Sequence, residues 1–419
     1  MRILTKAKFV YYNLCRRFSG RMEINMNSFE YYNPVRVVFG EQTLNRVGET
    51  VAAYGKQALL VSYRNVSFMT KTIDRIHNLL ERSGVSCVDC FVASANPLIE
   101  EAREGIELGK KHGVDVVIGL GGGSAMDCAK AISAGLLYGE QDIRNMFVFS
   151  HTEVKHIPPV KALPMVMIPT LPATGSEMNL CAVLTDGSTR RKSYIWAECL
   201  YPQVAIIDPE MTVSLPPYQT ACGAIDTIAH VAEAYFNGND SNLILQDKME
   251  EGVIRSVMET LPVVMENPND LQARGVMLWA ASIALNGWVN SGTMIFTPMH
   301  QLGHVLSARF GATHGATLAC LMPAWMRFRA AQGGEAARRC EQFARKIFDC
   351  PLLEAADKFE AWMRSFGVQT RISEFGVTKD DVAALAEQVR EISFNGDDVL
   401  GSYPAITLED VKTVYTLAL

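Results

Sequence analysis

VDVVIGLGGGSAMDCAKAISA, residues 114–134, is the stretch that decides the fold. A short apolar run at 114–119 is typical of a buried strand, and a helical pattern follows Gly121, Gly122 and Gly123. Glycines let the backbone approach an anion closely, and a helix N-terminus offers free N–H groups. Ser124 is suited to cap that helix or to contact a phosphate, and Asp127 lies in its first turn. The stretch predicts a nucleotide-phosphate site; a plain tight turn, the alternative, does not need three glycines.

The residues around this stretch alternate between short apolar runs and amphipathic helical patterns. The order indicates a parallel sheet with helices on both faces, as in an α/β dinucleotide-binding domain. Strands are predicted at 35–39, 58–62, 85–92, 114–119, 165–168 and 204–207, with helices at 44–54, 71–82, 99–112 and 124–134.

Beyond residue 208 the pattern becomes helical. Helices are predicted at 218–236, 246–265, 271–286, 336–348 and 380–392, with breaks at Pro262, Pro268, Gly333 and Pro351. Prolines at 209, 216 and 217 mark the change. We expect a disordered N-terminal extension at 1–25, the α/β domain at 26–210 and an all-helical metal-binding domain at 211–419.

Charge and composition exclude several classes of protein. The 419 residues carry a net charge of −6, but residues 1–25 carry +5, which leaves −11 for the remainder. An acidic body gives no reason to expect a nucleic-acid partner, and no apolar run is long enough for a membrane helix. The ten cysteines are scattered and do not form a disulfide scaffold. Cys87 and Cys90 fall three apart on a predicted strand, so their side chains point to opposite faces. We therefore expect reduced cysteines and a cytoplasmic protein.

The helical half contains four histidines, which form two groups in the sequence and are candidate metal ligands. Asp226 and His230 are spaced i, i+4 on one predicted helix, His300 and His304 have the same spacing, and His314 follows in a glycine-flanked break. Any one of them could be a hydrogen-bonded core residue. Jointly, three imidazoles and one carboxylate complete four-coordination of a divalent transition metal, without the thiolates of a structural site. Glu233, one turn after His230, is interpreted as a solvated acid rather than as a partner of a ligand.

The end of the second predicted strand bears on the choice of coenzyme. A dinucleotide site often has an acid there to bind the adenosine ribose, but this chain has Tyr63, Arg64 and Asn65. Arg64 is a candidate partner for a 2′-phosphate, which favours NADP over NAD. A surface arginine without such a role is the alternative.

These motifs together resemble the iron-containing (group III) alcohol dehydrogenases. The resemblance runs from about residue 31 to the C-terminus and rests on 95–97 (ANP), 121–127 (GGGSAMD), 169–177 (PTLPATGSE), 223–230 (GAIDTIAH) and the three later histidines. Residues 171–179 (LPATGSEMN) and 279–287 (WAASIALNG) are most similar to the butanol-dehydrogenase and broad-specificity aldehyde-reductase branch. The glycine-rich turn found after the second strand in many members is absent here, as is the usual residue pattern at 296–299.

The resemblance implies a dehydroquinate synthase-like fold with an active site between the two domains, and a homodimer. It implies one Fe²⁺ or Zn²⁺ held by Asp226, His230, His300 and His314, with His304 near the nicotinamide as a non-ligand. The matching coenzyme positions, for NADP or NAD, are Asn96, Gly121, Gly122, Gly123, Ser124, Asp127, Thr170, Leu171, Ser176 and Lys192.

The implied reaction is hydride transfer between NAD(P)H and a small aldehyde or primary alcohol at a Lewis-acidic metal. His304 either relays the proton or shapes the pocket, and Lys192 either holds the nicotinamide ribose or lies on the surface. Asn179, Trp288 and Phe296 are candidate pocket residues. Two alternatives remain: a glycerol dehydrogenase-like polyol oxidoreductase, and a non-catalytic metal- or nucleotide-binding protein.

Overall fold

The glycine-rich stretch lies at the carboxyl end of an inner strand of a six-stranded parallel sheet. A computed structural model describes residues 28–139, 141–148, 155–237, 243–293 and 296–419, so the expectation for residues 1–25 lies outside the described residues. The sheet has the strand order β1-β8-β5-β4-β2-β3. The strands are β1 (Arg36–Phe39), β2 (Gln57–Tyr63), β3 (Ser86–Ala93), β4 (Val116–Gly121), β5 (Met165–Pro169), β6 (Cys181–Asp186), β7 (Arg191–Trp196) and β8 (Val204–Ile207).

Both faces of the sheet are buried, which explains the continuous apolar runs in its strands. Leu59 and Val117 belong to the core on one face, and Leu60 and Ile118 belong to the core on the other. The covering helices are α1 (Val47–Ala52), α2 (Thr70–Arg82), α3 (Ile99–His112) and α4 (Gly123–Leu136). The prediction of a helix over 44–54 is partly wrong, because Thr43–Arg46 forms a 3-10 turn before α1.

The second half is helical, which confirms the predicted fold class. Its helices pack around one apolar core that includes Trp325 and Phe359. They are α5 (Pro217–Asn237), α6 (Ile244–Glu266), α7 (Leu271–Ala284), α8 (Pro298–Phe310), α9 (His314–Gln332), α10 (Gly334–Phe343), α11 (Leu352–Ser365), α12 (Val382–Ser393) and α13 (Leu408–Ala418). The predicted break at Pro262 is wrong. This proline lies on the exposed side of the last turns of α6, where water can satisfy the carbonyl group that loses its N–H partner.

Strands β6 and β7 form an antiparallel hairpin that the sequence analysis missed. The cysteines agree with the sequence analysis: nine in the described part of the chain are free, and Cys87 and Cys90 face the cores on opposite sides of the sheet. Among the described helices, none has the length and apolarity needed to cross a membrane.

Candidate active site

The loop between β4 and α4 is a cradle in which side chains would not fit. Gly121 has a φ of +148°, which L side chains rarely adopt. A Cβ on Gly123 would lie 2.4 Å from Thr174 Cγ2, and one on Gly122 would lie 2.9 Å from the Tyr63 hydroxyl. Gly122 is the N-cap residue, so Ser124 does not cap the helix; its hydroxyl donates to the Ala95 carbonyl at 2.6 Å.

Asp127 and Ser176, both expected at the coenzyme, bind each other. The Ser176 hydroxyl donates to Asp127 Oδ1 at 2.6 Å, and Val183 N donates to Oδ2 at 3.0 Å. Burial raises the pKa of Asp127 above its ordinary value, although Lys130 opposes the shift. The pair therefore fastens the hairpin and the 174–179 turn to α4.

Asn179 has no free amide with which to contact a substrate. It accepts from Lys130 Nζ at 2.9 Å and donates to the carbonyl groups of Thr174 and Gly175 at 3.2 and 3.0 Å. Its polar groups therefore hold the turn together, and its place in the pocket stays a prediction. Trp288 is half exposed and packs against Tyr31, 5.1 Å between ring centroids.

Lys192 on β7 is buried rather than on the surface. Its Nζ donates to Asn96 Oδ1 at 3.2 Å, which joins two of the expected coenzyme residues. Burial lowers the pKa of Lys192 to about 8, while Asp127 and Asp226 act in the opposite direction. Thr170 and Leu171 follow β5 beside the glycine loop, where Thr170 N donates to the Gly121 carbonyl at 2.9 Å. The expected coenzyme residues thus lie around the carboxyl ends of the parallel strands.

The metal candidates from three helices converge in one place. Asp226 Oδ1 on α5 lies 3.6 Å from His300 Nε2 on α8 and 3.6 Å from His314 Nε2 at the start of α9. One ligand atom from each of the three residues lies within 4.8 Å of the others. His230 lies outside that triangle, but its ring stacks on His300 with 4.5 Å between centroids. The structure therefore brings all four residues together, three of them at the spacing of a coordination sphere.

Unsatisfied buried atoms in this cluster fit a cation. Asp226 Oδ1, His230 Nδ1, His300 Nε2 and His314 Nδ1 are buried without hydrogen-bond partners. Such atoms are rare in folded proteins and call for an explanation such as an ion. Imidazole nitrogen and carboxylate oxygen are the donors of catalytic divalent transition-metal sites.

The pKa values in the cluster follow from burial and charge. Burial alone would raise the pKa of Asp226, but the imidazoles of His230, His300 and His314 lower it below its ordinary value. Burial lowers the pKa of His230 to about 4. Burial also acts to lower the pKa of His300, but Glu233 and Asp226 raise it to about 9.

Glu233 is not the solvated acid that the sequence analysis expected. It is fully buried, and its Oε2 accepts a hydrogen bond from His300 Nδ1. Its Oε1 accepts from the backbone N–H groups of Met299 and His300 at the first turn of α8. One carboxylate thus caps the helix and fixes the ring whose Nε2 faces Asp226, an arrangement common behind metal-binding histidines. The i+3 spacing from His230 was the signal available in the sequence.

His304 lies beside the metal candidates. Its ring is 5.0 Å from that of His314 and 6.3 Å from that of His300. Burial and the charge of Lys192 hold the pKa of His304 well below its ordinary value, so the imidazole is neutral at neutral pH. The charge of Lys192 also contributes to lowering the pKa of His314, as it does for His304. The expected coenzyme residues and the metal candidates therefore interact electrostatically.

Comparison with known proteins identifies the family of the chain. The family model for iron-containing alcohol dehydrogenases matches residues 34–209, and the model for the C-terminal part of the Fe-containing alcohol dehydrogenase family matches residues 220–419. The chain belongs to the iron-containing alcohol dehydrogenase family. The resemblance seen in the sequence is thereby confirmed.

Individual relatives of the family match most of the chain. The probable NADH-dependent butanol dehydrogenase 1 of Bacillus subtilis is 31% identical over 404 residues, which are 94% of this chain and 100% of that protein. The NADPH-dependent aldehyde reductase YqhD of Escherichia coli is 28% identical, with the same two coverages. The crystal structure of NADH-dependent butanol dehydrogenase A from Thermotoga maritima has a TM-score of 0.87 and 32% identity, covering 94% of this chain and 100% of that one.

Proposed function

We propose that this protein is a metal-dependent alcohol dehydrogenase and aldehyde reductase that transfers hydride between NAD(P)H and a small aldehyde or primary alcohol. The unpartnered buried atoms of Asp226, His230, His300 and His314 are the observation that carries the proposal. A divalent ion would polarise the carbonyl group as a Lewis acid, and the nicotinamide would exchange the hydride. Asp226, His230, His300 and His314 would hold Fe²⁺ or Zn²⁺, since this donor set suits both.

The chain's own residues would bind and orient the remaining parts. The glycine loop at 121–123 and Ser124 would hold the coenzyme phosphates at the N-terminus of α4, supported by Thr170 and Leu171. The linked Lys192 and Asn96 would contact the nicotinamide ribose. His304, a neutral imidazole, would exchange the proton of the substrate oxygen with solvent through its ring nitrogens. Asp127 and Ser176 would act indirectly, by holding the hairpin that carries Lys192.

Turnover and metal content test the proposal together. Protein purified anaerobically and loaded with Fe²⁺ or Zn²⁺ should oxidise NADH or NADPH in the presence of butanal. A variant His230→Ala should lose the active-site metal and turnover, whereas His112→Ala, at an exposed position on α3, should retain both. Loss of metal from His230→Ala would favour four ligands over the three that lie closest together.

The alternative functions predict different outcomes in the same assay. A polyol oxidoreductase would oxidise glycerol with NAD⁺ faster than it reduces butanal. A non-catalytic binding protein would bind metal and coenzyme without hydride transfer to any aldehyde of a broad panel. Either outcome would overturn the proposed function.

We also propose that NADH is the preferred coenzyme, although the sequence favoured NADP. Arg64 is already paired: its Nη2 donates to both oxygens of Glu104 at 3.0 Å, and its Nε donates to Glu101 at 3.3 Å. Two carboxylates around one guanidinium leave a net negative charge, which repels a 2′-phosphate.

Removing one of these carboxylates tests the coenzyme preference. The variant Glu104→Gln should lower the ratio of kcat/KM for NADH to that for NADPH by roughly fivefold, the equivalent of about 1 kcal/mol for an exposed charge. Glu107→Gln, at an exposed position on the same helix, should leave the ratio unchanged. A wild-type preference for NADPH would refute this part of the proposal.

The proposal also covers the division of the chain into units, the location of the protein and its assembly. We propose two structural units at 26–210 and 211–419, and a cytoplasmic homodimer. Strand β1 is an edge strand of the sheet, and exposed Phe39 on it packs against exposed Trp279, which supports a contact between subunits at that edge. Sedimentation of the purified protein, compared with that of Trp279→Lys, would test the dimer.

A further inference from the structure

Three potential metal ligands meet at the outer edge of the sheet, in a part of the fold separate from α5, α8 and α9. Cys87 and Asp89 are two residues apart on the edge strand β3, so their side chains project from the same face. His77 on α2 reaches them: its Nε2 is 2.8 Å from Asp89 Oδ1. One ligand atom from each residue lies within 4.8 Å of the other two.

The chemistry of this trio suits one class of ion. A thiolate, an imidazole and a carboxylate are the donors that Zn²⁺ takes, and sulfur disfavours Mg²⁺ and Ca²⁺. A thiolate and a carboxylate would neutralise a divalent charge. The side chains of His77 and Asp89 are 34% and 41% exposed, so an ion can enter and water can occupy a fourth position.

From this geometry we propose that His77, Cys87 and Asp89 bind a Zn²⁺-like divalent transition ion in addition to the ion of the active site. Without an ion, burial and the nearby charge of Asp89 raise the pKa of the Cys87 thiol to about 12, so the sulfur keeps its proton. On binding, the metal–sulfur bond forms and the S–H proton leaves to water. The bound ion joins α2 to the edge strand. This site does not depend on the proposed hydride transfer.

Cobalt distinguishes this site from the active site, because the expected active-site ligands contain only nitrogen and oxygen. Full-length protein titrated anaerobically with Co²⁺ should bind a second equivalent, accompanied by sulfur-to-cobalt charge-transfer absorption in the near ultraviolet. Cys87→Ser should lose that absorption and one equivalent of metal, and should keep the visible absorption of the first Co²⁺ and its turnover of butanal.

Two further variants keep the test decisive. Cys199→Ser, at a half-buried cysteine that contacts the Pro159 carbonyl, should retain the absorption. His77→Gln changes a partly exposed side chain on a helix surface and should weaken binding of the second ion even if Cys87→Ser folds poorly. No charge-transfer absorption in the wild type at saturating Co²⁺, or its persistence in Cys87→Ser, would overturn the proposal.

Discussion

Replacing Glu233 by glutamine tests how strongly a residue behind the metal site controls metal binding. Glutamine keeps the size of the side chain, and its carbonyl oxygen can still accept from the N–H groups of Met299 and His300. Its amide group would instead face His300 Nδ1, where two donors would oppose each other. The imidazole would then have to carry its proton on Nε2, the atom that faces Asp226.

The expected loss follows from this exchange of tautomers. Partners of metal-binding histidines contribute about 10- to 100-fold in metal affinity, so Glu233→Gln should weaken binding by that factor. The factor corresponds to roughly 1.4 to 2.8 kcal/mol. Competition with a chromogenic chelator under anaerobic conditions measures the affinity, and Glu259→Gln, at an exposed position on α6, is the matched control. An affinity of Glu233→Gln within twofold of the wild type would refute the reasoning.

Other perturbations test the core, the helix packing and the metal. The pKa of Lys130 falls from 10.5 to about 8 because burial disfavours its charge. Lys130 is therefore protonated less in the folded state than in the unfolded state between these values, and it should contribute a rise in stability with pH of about 3 kcal/mol. Chemical unfolding of Lys130→Met across that range should lack this contribution and keep the one from Lys192, whose pKa burial also lowers to about 8. A Cβ on Gly315 would lie 2.1 Å from the Cys222 carbonyl oxygen, so Gly315→Ala should destabilise the fold by about 1–3 kcal/mol and weaken metal binding. The control Gly252→Ala, with open space around it, should be stabilising by up to about 1 kcal/mol. Removing the metal with a chelator should abolish butanal reduction while NADH fluorescence still reports coenzyme binding; turnover by metal-free protein would contradict the proposed function.

The elements that the sequence predicted well are those with a single strong signal. The strand over 204–207 and the helix over 99–112 have the predicted bounds, because an apolar run or an amphipathic period is interrupted sharply on both sides. The hairpin of β6 and β7 was missed although Asp186 and Gly187 form a turn signal between its strands. Pro262 does not end α6, because a proline on an exposed helix face breaks no buried hydrogen bond.

The residues of the site also differ in how well the sequence predicts them. Spacing alone grouped Asp226 with His230 and His300 with His304, because i, i+4 pairs share a helix face. Spacing could not assign a partner to Glu233, since its contacts come from α8, more than 60 residues away in the chain. The pairing of Arg64 with Glu104 likewise depends on how α3 packs beside β2. Long-range contacts of this kind are set by tertiary packing.

His300 lies near the start of α8 and His314 lies at the start of α9. The length of α8 therefore sets the position of one histidine relative to the other. One inserted or deleted residue between them would rotate the second histidine by about 100° and move it by about 1.5 Å along the axis. Natural length variation should therefore be excluded from this stretch. It should be tolerated at the junction of Gly333 and Gly334, where a Cβ added to either residue would have nothing within 4 Å. Comparing insertions at these two places would show that chain length matters between the two histidines and does not matter at the glycine junction, which only connects two helices.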